Sequence, residues 1–424
     1  MTKVAFLGMT HLGLVSAVAA AAKGASVVGY DPDPALIARL SRGDLPVSEP
    51  GLQERLDLAF GRIAFSADSA SIRTADLCYV APDIATDDVG QSDLAAVRQL
   101  LRLALGESRP DAAVIVLSQV PPGFTRAEAG RGRQVFYQVE TLIFGRAVQR
   151  AMEPERIIVG CADPAQALPK HYADFLGRFA CPVFPMRYES AELAKISINL
   201  VLVGAVTVAN TLAELCEAIG ADWGEIVPAL RLDRRIGAHA YLAAGLGLSG
   251  GNLERDLATV ERLADEFGTD GSLVRTWFAS SARRKDWVFR ILSRRLLASK
   301  PGATIGVLGL AYKENTHSTK NSPALMLLAH RELVHVKVFD PVVPASTVPR
   351  AVASVDALDA AADADAVAVM TPWPQFRALS VDGLARAMKG RLLVDPYGLY
   401  DASETAAAGL EHHVLGRAPA AERR

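Results

Sequence analysis

Cysteine is scarce in this sequence of 424 residues. Cys78, Cys161, Cys181 and Cys216 are scattered, with no C-x-x-C pair and no histidine cluster beside them. That pattern excludes a disulfide framework and a zinc site, and it fits a reducing cytoplasm. The eight histidines are equally dispersed. His412-His413 lies close to a polar tail, Gly416 to Arg424, and reads as solvated. Charge of one sign is also missing: 45 Lys and Arg face 47 Asp and Glu, for a net charge of −2. No basic field is present for nucleic acid or a membrane surface, and Arg283-Arg-Lys285 reads as a solvated helix face. No apolar run reaches the ~18–20 residues that span a bilayer. Val15–Ala22 is too short, and a strand and a glycine turn precede it in place of a basic leader. The expectation is a cytoplasmic protein that uses no metal.

With 50% hydrophobic and 22% charged residues, the composition is that of an ordinary globular protein. The chain is too long for one core. Lys3–Gly8 reads as a strand entering a turn, followed by an Ala-rich helix over Leu14–Lys23 and a second strand over Ser26–Tyr30. Strand-like runs recur at Leu77–Val80, Ala113–Ser118 and Arg156–Gly160. Alternating strands and helices imply a parallel sheet covered on both faces. From Ser190 the pattern becomes helical: Ala191, Ala194, Ile198 and Val201 share one face, and no proline intervenes before Pro228. After Pro301-Gly302 a second β-α-β pattern runs through Thr304–Gly309, Val336–Asp340, Ala366–Met370 and Leu392–Asp395. The expected architecture is α/β: two Rossmann-like parallel-sheet lobes (1–185 and 296–424) joined by a helical central domain (186–295) with a long connecting helix.

Gly8-Met-Thr-His-Leu-Gly13 stands where a G-x-G-x-x-G fingerprint belongs, after a strand and before a helix. In that fingerprint the first Gly makes the turn, the second admits the pyrophosphate and the third lets helix and strand pack closely. Thr10 replaces the middle glycine. Asp31 ends the second strand, where a carboxylate accepts ribose hydroxyls and repels a 2′-phosphate, so NAD is favoured over NADP. Gly8, Thr10, Leu12, Gly13 and Asp31 are the candidate cofactor contacts.

Further motifs follow in order: Ser48-Glu-Pro-Gly-Leu52, Ser118-Gln-Val-Pro-Pro-Gly-Phe-Thr125, Glu140 through Gly160, and Ala191-Glu-Leu-Ala-Lys195 with Asn199. Then come Asp233-Arg-Arg-Ile-Gly237, Gly245-Leu-Gly-Leu-Ser-Gly-Gly-Asn-Leu-Glu-Arg-Asp256, Leu308-Gly-Leu-Ala-Tyr-Lys313, Ser322-Pro-Ala324, Phe339-Asp-Pro341 and Thr371-Pro-Trp-Pro-Gln-Phe376. Taken together, nearly the whole chain resembles the UDP-glucose/GDP-mannose dehydrogenase family. The resemblance implies that Lys195 and Asn199 stabilise a developing alkoxide, that Asp256 assists proton removal and that Glu140 belongs to the same site. It also implies that Ser118 lies at the cofactor, and that Arg235, Gly251 and Lys313 hold a nucleotide-diphosphate sugar. The uninterrupted apolar spacing after Ser190 predicts a homodimer through the central helix, and the resemblance implies that Arg235 reaches the neighbour's site.

The chain departs from the family where the second half of the reaction is done. Asn252 stands at the nucleophilic cysteine, and an amide cannot form the thiohemiacetal and thioester that lead to a carboxylate. Gln119 replaces the threonine that helps place the hydrolytic water, and Phe144 replaces a glutamate. Ala81-Pro-Asp-Ile-Ala85 and Tyr397 differ from the family at binding positions. Asn252 also has the reading of a simple turn residue, and Asp256 that of a cap for a helix starting at Leu257. The expected function is an NAD-dependent nucleotide-sugar oxidoreductase that makes one hydride transfer and stops, or uses it reversibly, as in a redox-neutral epimerisation through a transient ketone. Two alternatives stand beside it: four-electron oxidation through an aldehyde hydrate without a covalent intermediate, and a non-catalytic paralogue that binds nucleotide sugar or an active partner subunit.

Overall fold

Short aliphatic runs form the strands of the first sheet: β1 (Lys3–Leu7), β2 (Ser26–Tyr30), β3 (Ile63–Ser66), β4 (Leu77–Val80), β5 (Ala113–Val116), β6 (Gln134–Gln138), β7 (Ile157–Cys161) and β8 (Val183–Arg187). This computed structural model describes residues 2–87, 90–130 and 132–418. The sheet order is β3-β2-β1-β4-β5-β6-β7-β8, parallel throughout except for the antiparallel β6–β7 pair. Every residue of β4 and β5 is buried, as expected of central strands covered on both faces. The second sheet contains β9 (Thr304–Leu308), β10 (His335–Phe339), β11 (Val352–Ala353), β12 (Ala366–Val369), β13 (Leu392–Val394) and β14 (Glu411–His413), in the order β11-β10-β9-β12-β13-β14. Both sheets reverse direction beside their first strand. In an open α/β sheet that reversal is where a ligand crevice forms, beyond the carboxyl ends of the strands.

The chain divides into two compact units, Met1–Ile198 and Asn199–Arg424. The boundary falls inside one helix, Tyr188–Ile219, which spans 32 residues and stops at Gly220 (φ +83°). This helix corrects the expectation that no segment is apolar enough for a bilayer. By length and composition alone it qualifies, because Gly204, Thr207, Asn210 and Thr211, which interrupt the apolar run in sequence, do not interrupt the helix. In the second unit the helices Trp223–Leu232, Asn252–Phe267, Ser272–Lys285 and Trp287–Leu292 follow. Trp287, Val288, Ile291 and Leu292 share one core with β9 and β12.

Three sequence expectations fail for a common reason, long-range burial. Arg283-Arg-Lys285 is not a solvated face: Arg283 is exposed, but Arg284 and Lys285 are buried against Glu217 and Glu254. His412 and His413 are not solvated either. They lie in β14 and are paired with Asp395 and Glu411 respectively. The tail does not begin at Gly416, whose carbonyl accepts from Trp223 N and whose amide donates to Glu217. Residues 419–424 lie outside the described ones. Sequence reading also missed β3, β6, β8, β11 and β14. β8 carries Pro185 and is largely solvent-facing, so it lacks the continuous apolar run of a central strand.

Candidate active site

In the first unit, Gly8 turns the chain out of β1 with φ +94°, a conformation that L side chains rarely adopt. A Cβ there would lie 2.9 Å from Pro82 N. One on Gly13 would lie 1.9 Å from the Gly8 carbonyl oxygen, so helix and strand meet with no room for a side chain. The helix His11–Ala22 begins at this turn, and the Asp31 carboxylate at the end of β2 accepts from Met9 N (2.8 Å) and Asp33 N (3.0 Å). Each carboxylate oxygen keeps a lone pair for a ribose hydroxyl. The two glycines and Asp31 thus fit a dinucleotide. Thr10, at the N-cap, does not bond its own helix; its hydroxyl accepts from Asp83 N at 2.8 Å. Leu12 is buried, and its amide donates to Asp83 Oδ2 at 3.4 Å. Ser118 is fully buried and donates to the Pro82 carbonyl (2.5 Å), so its side chain positions the loop above the glycines.

The long helix supplies the next groups. Glu192 is fully buried and accepts from Gly123 N (2.6 Å) and Thr125 N (2.8 Å), tying the Pro121-Pro-Gly123 turn to the helix. Burial pushes the Glu192 carboxyl up, and the hydrogen bonds from Thr125 and Gly123 oppose that rise. One turn further on, Lys195 Nζ lies 2.7 Å from Glu140 Oε1, and Glu140 Oε2 accepts from Leu142 N. Two candidates far apart in sequence therefore form one buried ion pair. Phe144 is mostly exposed, with its ring 4.3 Å from that of His11, while His11 Nε2 lies 2.8 Å from buried Glu49. Glu49, His11 and Glu192 were not among the sequence candidates. Glu49 was legible as a member of Glu-Pro-Gly-Leu, and Glu192 from its place three residues before Lys195.

The second unit starts at Asn199, whose amide donates to Asp256 Oδ2 at 2.6 Å. Asp256 is buried, and Arg255 lies 3.3 Å from its other oxygen. The helix carrying Asp256 begins at Asn252 with Gly251 as its N-cap, so Asp256 is not the cap of a helix starting at Leu257. Gly247 and Gly250 turn with positive φ, and a Cβ on Gly250 would meet the Tyr312 ring at 3.1 Å. Gly251 caps the helix beside Lys320. Asn252 is thus the exposed first residue of a helix, where the orphan amides of a helix N-terminus accumulate. Asn321 bonds both the Gly250 carbonyl and Glu254, holding this turn.

The sugar-binding candidates are less gathered. Lys313 is partly buried, with its ammonium 5.6 Å from the centre of the Tyr312 ring. Arg235 is exposed and bonds Asp233, two residues before it. A groove of about 660 Å³ in this unit is lined by Trp223, Arg231, Arg377, Tyr397 and Arg417, and also by Asp222 and Glu225. The three arginines were missed because they come from segments far apart in sequence that only the fold brings to one groove. Tyr397 donates to the Met370 carbonyl.

All four cysteines are free thiols. Burial raises every one of them, Cys78 to about 12, so none is held as a thiolate. Among the described residues no group of three or more His, Cys, Asp or Glu could hold a metal ion.

A glycine turn feeding a helix, an acidic residue closing the second strand and a buried lysine–carboxylate pair define a dinucleotide-dependent dehydrogenase with two Rossmann-like lobes and a central helical region. The chain belongs to the UDP-glucose/GDP-mannose dehydrogenase family: the family's NAD binding domain matches residues 2–175, its central domain 189–281 and its UDP binding domain 306–402. NAD is its cofactor. It is 30% identical over 440 residues to the UDP-glucose 6-dehydrogenase TuaD of Bacillus subtilis, covering 98% of this chain and 94% of the relative. It is 30% identical to the UDP-glucose 6-dehydrogenase of Pseudomonas aeruginosa, covering 98% and 97%. A UDP-glucose dehydrogenase structure from Pyrobaculum islandicum is similar with a TM-score of 0.83 and 27% identity, covering 99% of this chain and 98% of that one.

Proposed function

We propose that this chain oxidises a hydroxyl of a UDP-sugar by one reversible hydride transfer and does not carry the sugar to a uronic acid through a covalent intermediate. NAD, when bound, accepts the hydride. The hydroxyl proton leaves toward Asp256, and Lys195 and Asn199 offset the negative charge that develops on the substrate oxygen. Glu140 holds the Lys195 ammonium in place. Arg231, Arg377 and Arg417 in the groove, together with Lys313, suit diphosphate oxygens.

The observation that carries the reading is Asn252, exposed at the first turn of its helix, at the position that the motif resemblance assigns to the family's nucleophile. None of the four cysteines lies in the 245–256 loop, and burial raises the thiol of each. The test is incubation with NAD and a panel of nucleotide sugars, read by NADH formed per sugar and by product mass. The expected result is at most one NADH per sugar, with a product two hydrogens lighter or an isomer. A uronate formed with two NADH per sugar overturns the proposal. Absence of any product would favour a non-catalytic binding protein. Asn252→Cys alone is expected to give no uronate, since Gln119 and Phe144 still stand where water placement requires other groups.

A homodimer through the long helix is the accompanying proposal. Val201, Val208, Leu212, Leu215 and Ile219 recur at helical spacing and are exposed, Val201 by 71%. A contiguous exposed apolar stripe of this kind marks a protein–protein contact. Arg235, also exposed and bonded to Asp233, would act on a neighbouring copy in such a dimer. Sedimentation should show a dimer at micromolar concentration, and Val208→Glu with Leu215→Glu should convert it to monomer. A wild-type monomer would sink this proposal.

A further inference from the structure

The seat of the cofactor's diphosphate is already partly filled by a group of the chain itself. In a dinucleotide loop the pyrophosphate sits at the N-terminus of the first helix and receives its backbone amides. Here the Leu12 amide, at the second position of the helix His11–Ala22, donates to the Asp83 carboxylate. Three further contacts bring Asp83 there. The Ala81 amide donates to the Leu7 carbonyl, Ser118 donates to the Pro82 carbonyl, and Thr10 Oγ1 accepts from Asp83 N at 2.8 Å. Thr10 occupies the place of the fingerprint's middle glycine, so the substitution that narrows the loop is also the one that latches Asp83.

We propose that Asp83 is an internal anion in the diphosphate seat, latched by Thr10, and that NAD binds by displacing it. The geometry suits displacement. At 3.4 Å the Leu12–Asp83 bond is long for an amide–carboxylate contact, and Asp83 is exposed, so its side chain can swing into water. When the diphosphate enters, the helix exchanges one anion for another, and the carboxylate that remains nearby repels it. The cofactor is therefore held loosely and exchanges with solution between turnovers. That behaviour suits net oxidation with release of NADH better than a redox-neutral isomerisation, which must keep its cofactor.

Calorimetric titration of Asp83→Asn and Thr10→Gly with NAD, ADP and adenosine tests this, with thermal melting of the same proteins without ligand. Asp83→Asn should bind NAD and ADP about tenfold more tightly than the wild type, the order expected from removing one nearby like charge. Adenosine affinity, which involves no phosphate, should not change. Thr10→Gly should shift affinity in the same direction. The unliganded Asp83→Asn protein should melt at a lower temperature, because its helix loses an anion at the N-terminus. A gain in affinity with a loss of stability is not what a merely structural cap would produce. Unchanged NAD affinity in both variants, or an equal gain for adenosine, overturns the proposal.

Discussion

Lys195→Met should lower kcat by about 10²–10³, the usual cost of removing one preorganised group that stabilises a developing oxyanion. Lys195 is 9% exposed and lies on the long helix, with Nζ 2.7 Å from Glu140 Oε1. Methionine keeps the length and apolar stem but removes the charge, so the substrate oxygen loses the cation that offsets its charge in the transition state. The sugar's KM should change much less than kcat, because the diphosphate contacts are elsewhere, and NAD affinity should stay within about twofold. Glu140→Gln keeps a hydrogen-bond acceptor for the ammonium and should cost less. The measurement is steady-state NADH formation with the sugar identified by product mass. A loss of kcat below tenfold would make Lys195 a structural partner of Glu140 only.

The largest expected effect on stability comes from Glu217→Ala, about 3–5 kcal/mol, the range for breaking a buried ion pair from one side. Glu217 accepts from Trp287 Nε1 (2.7 Å), Gly416 N (2.8 Å) and Arg284 (3.4 Å). Arg284 is only 2% exposed, and burial lowers its affinity for a proton. Removing the carboxylate leaves a buried guanidinium with Glu214, 4.0 Å away, as its remaining acidic partner, and strands two further donors. Urea denaturation measures the loss. Arg283→Ala, at an exposed pair with Glu214, should cost no more than about 1 kcal/mol. If Glu217→Ala also cost about 1 kcal/mol or less, Glu217 would not be the partner that makes the burial of Arg284 tolerable.

Features governed by neighbours in sequence were legible in the chain. The apolar run of β1, its glycine turn and the helix after it, with Asp31 one strand later, need only local periodicity and a residue tolerant of positive φ. In the second lobe Gly309 (φ +101°) likewise turns the chain out of β9 and Asp340 follows β10, though no helix starts directly at that turn. Asn252 could be read as a departure because spacing alone aligns it. Pairings between distant segments were decided only by the tertiary structure. Glu140 meets Lys195, and Asn199 meets Asp256, because sheet order and helix packing bring those segments together; no periodicity encodes it. β4 pairs with β1 and carries the 81–83 loop over the glycine turn, so Asp83 reaches the helix N-terminus although the loop looks unremarkable in sequence. Arg284 and His412 looked like solvated polar residues and are buried, since burial is set by what packs across the core and a buried charge is stable only beside its partner. Identity and local conformation of each group were set by the chain alone; the company each charge keeps was set by the fold.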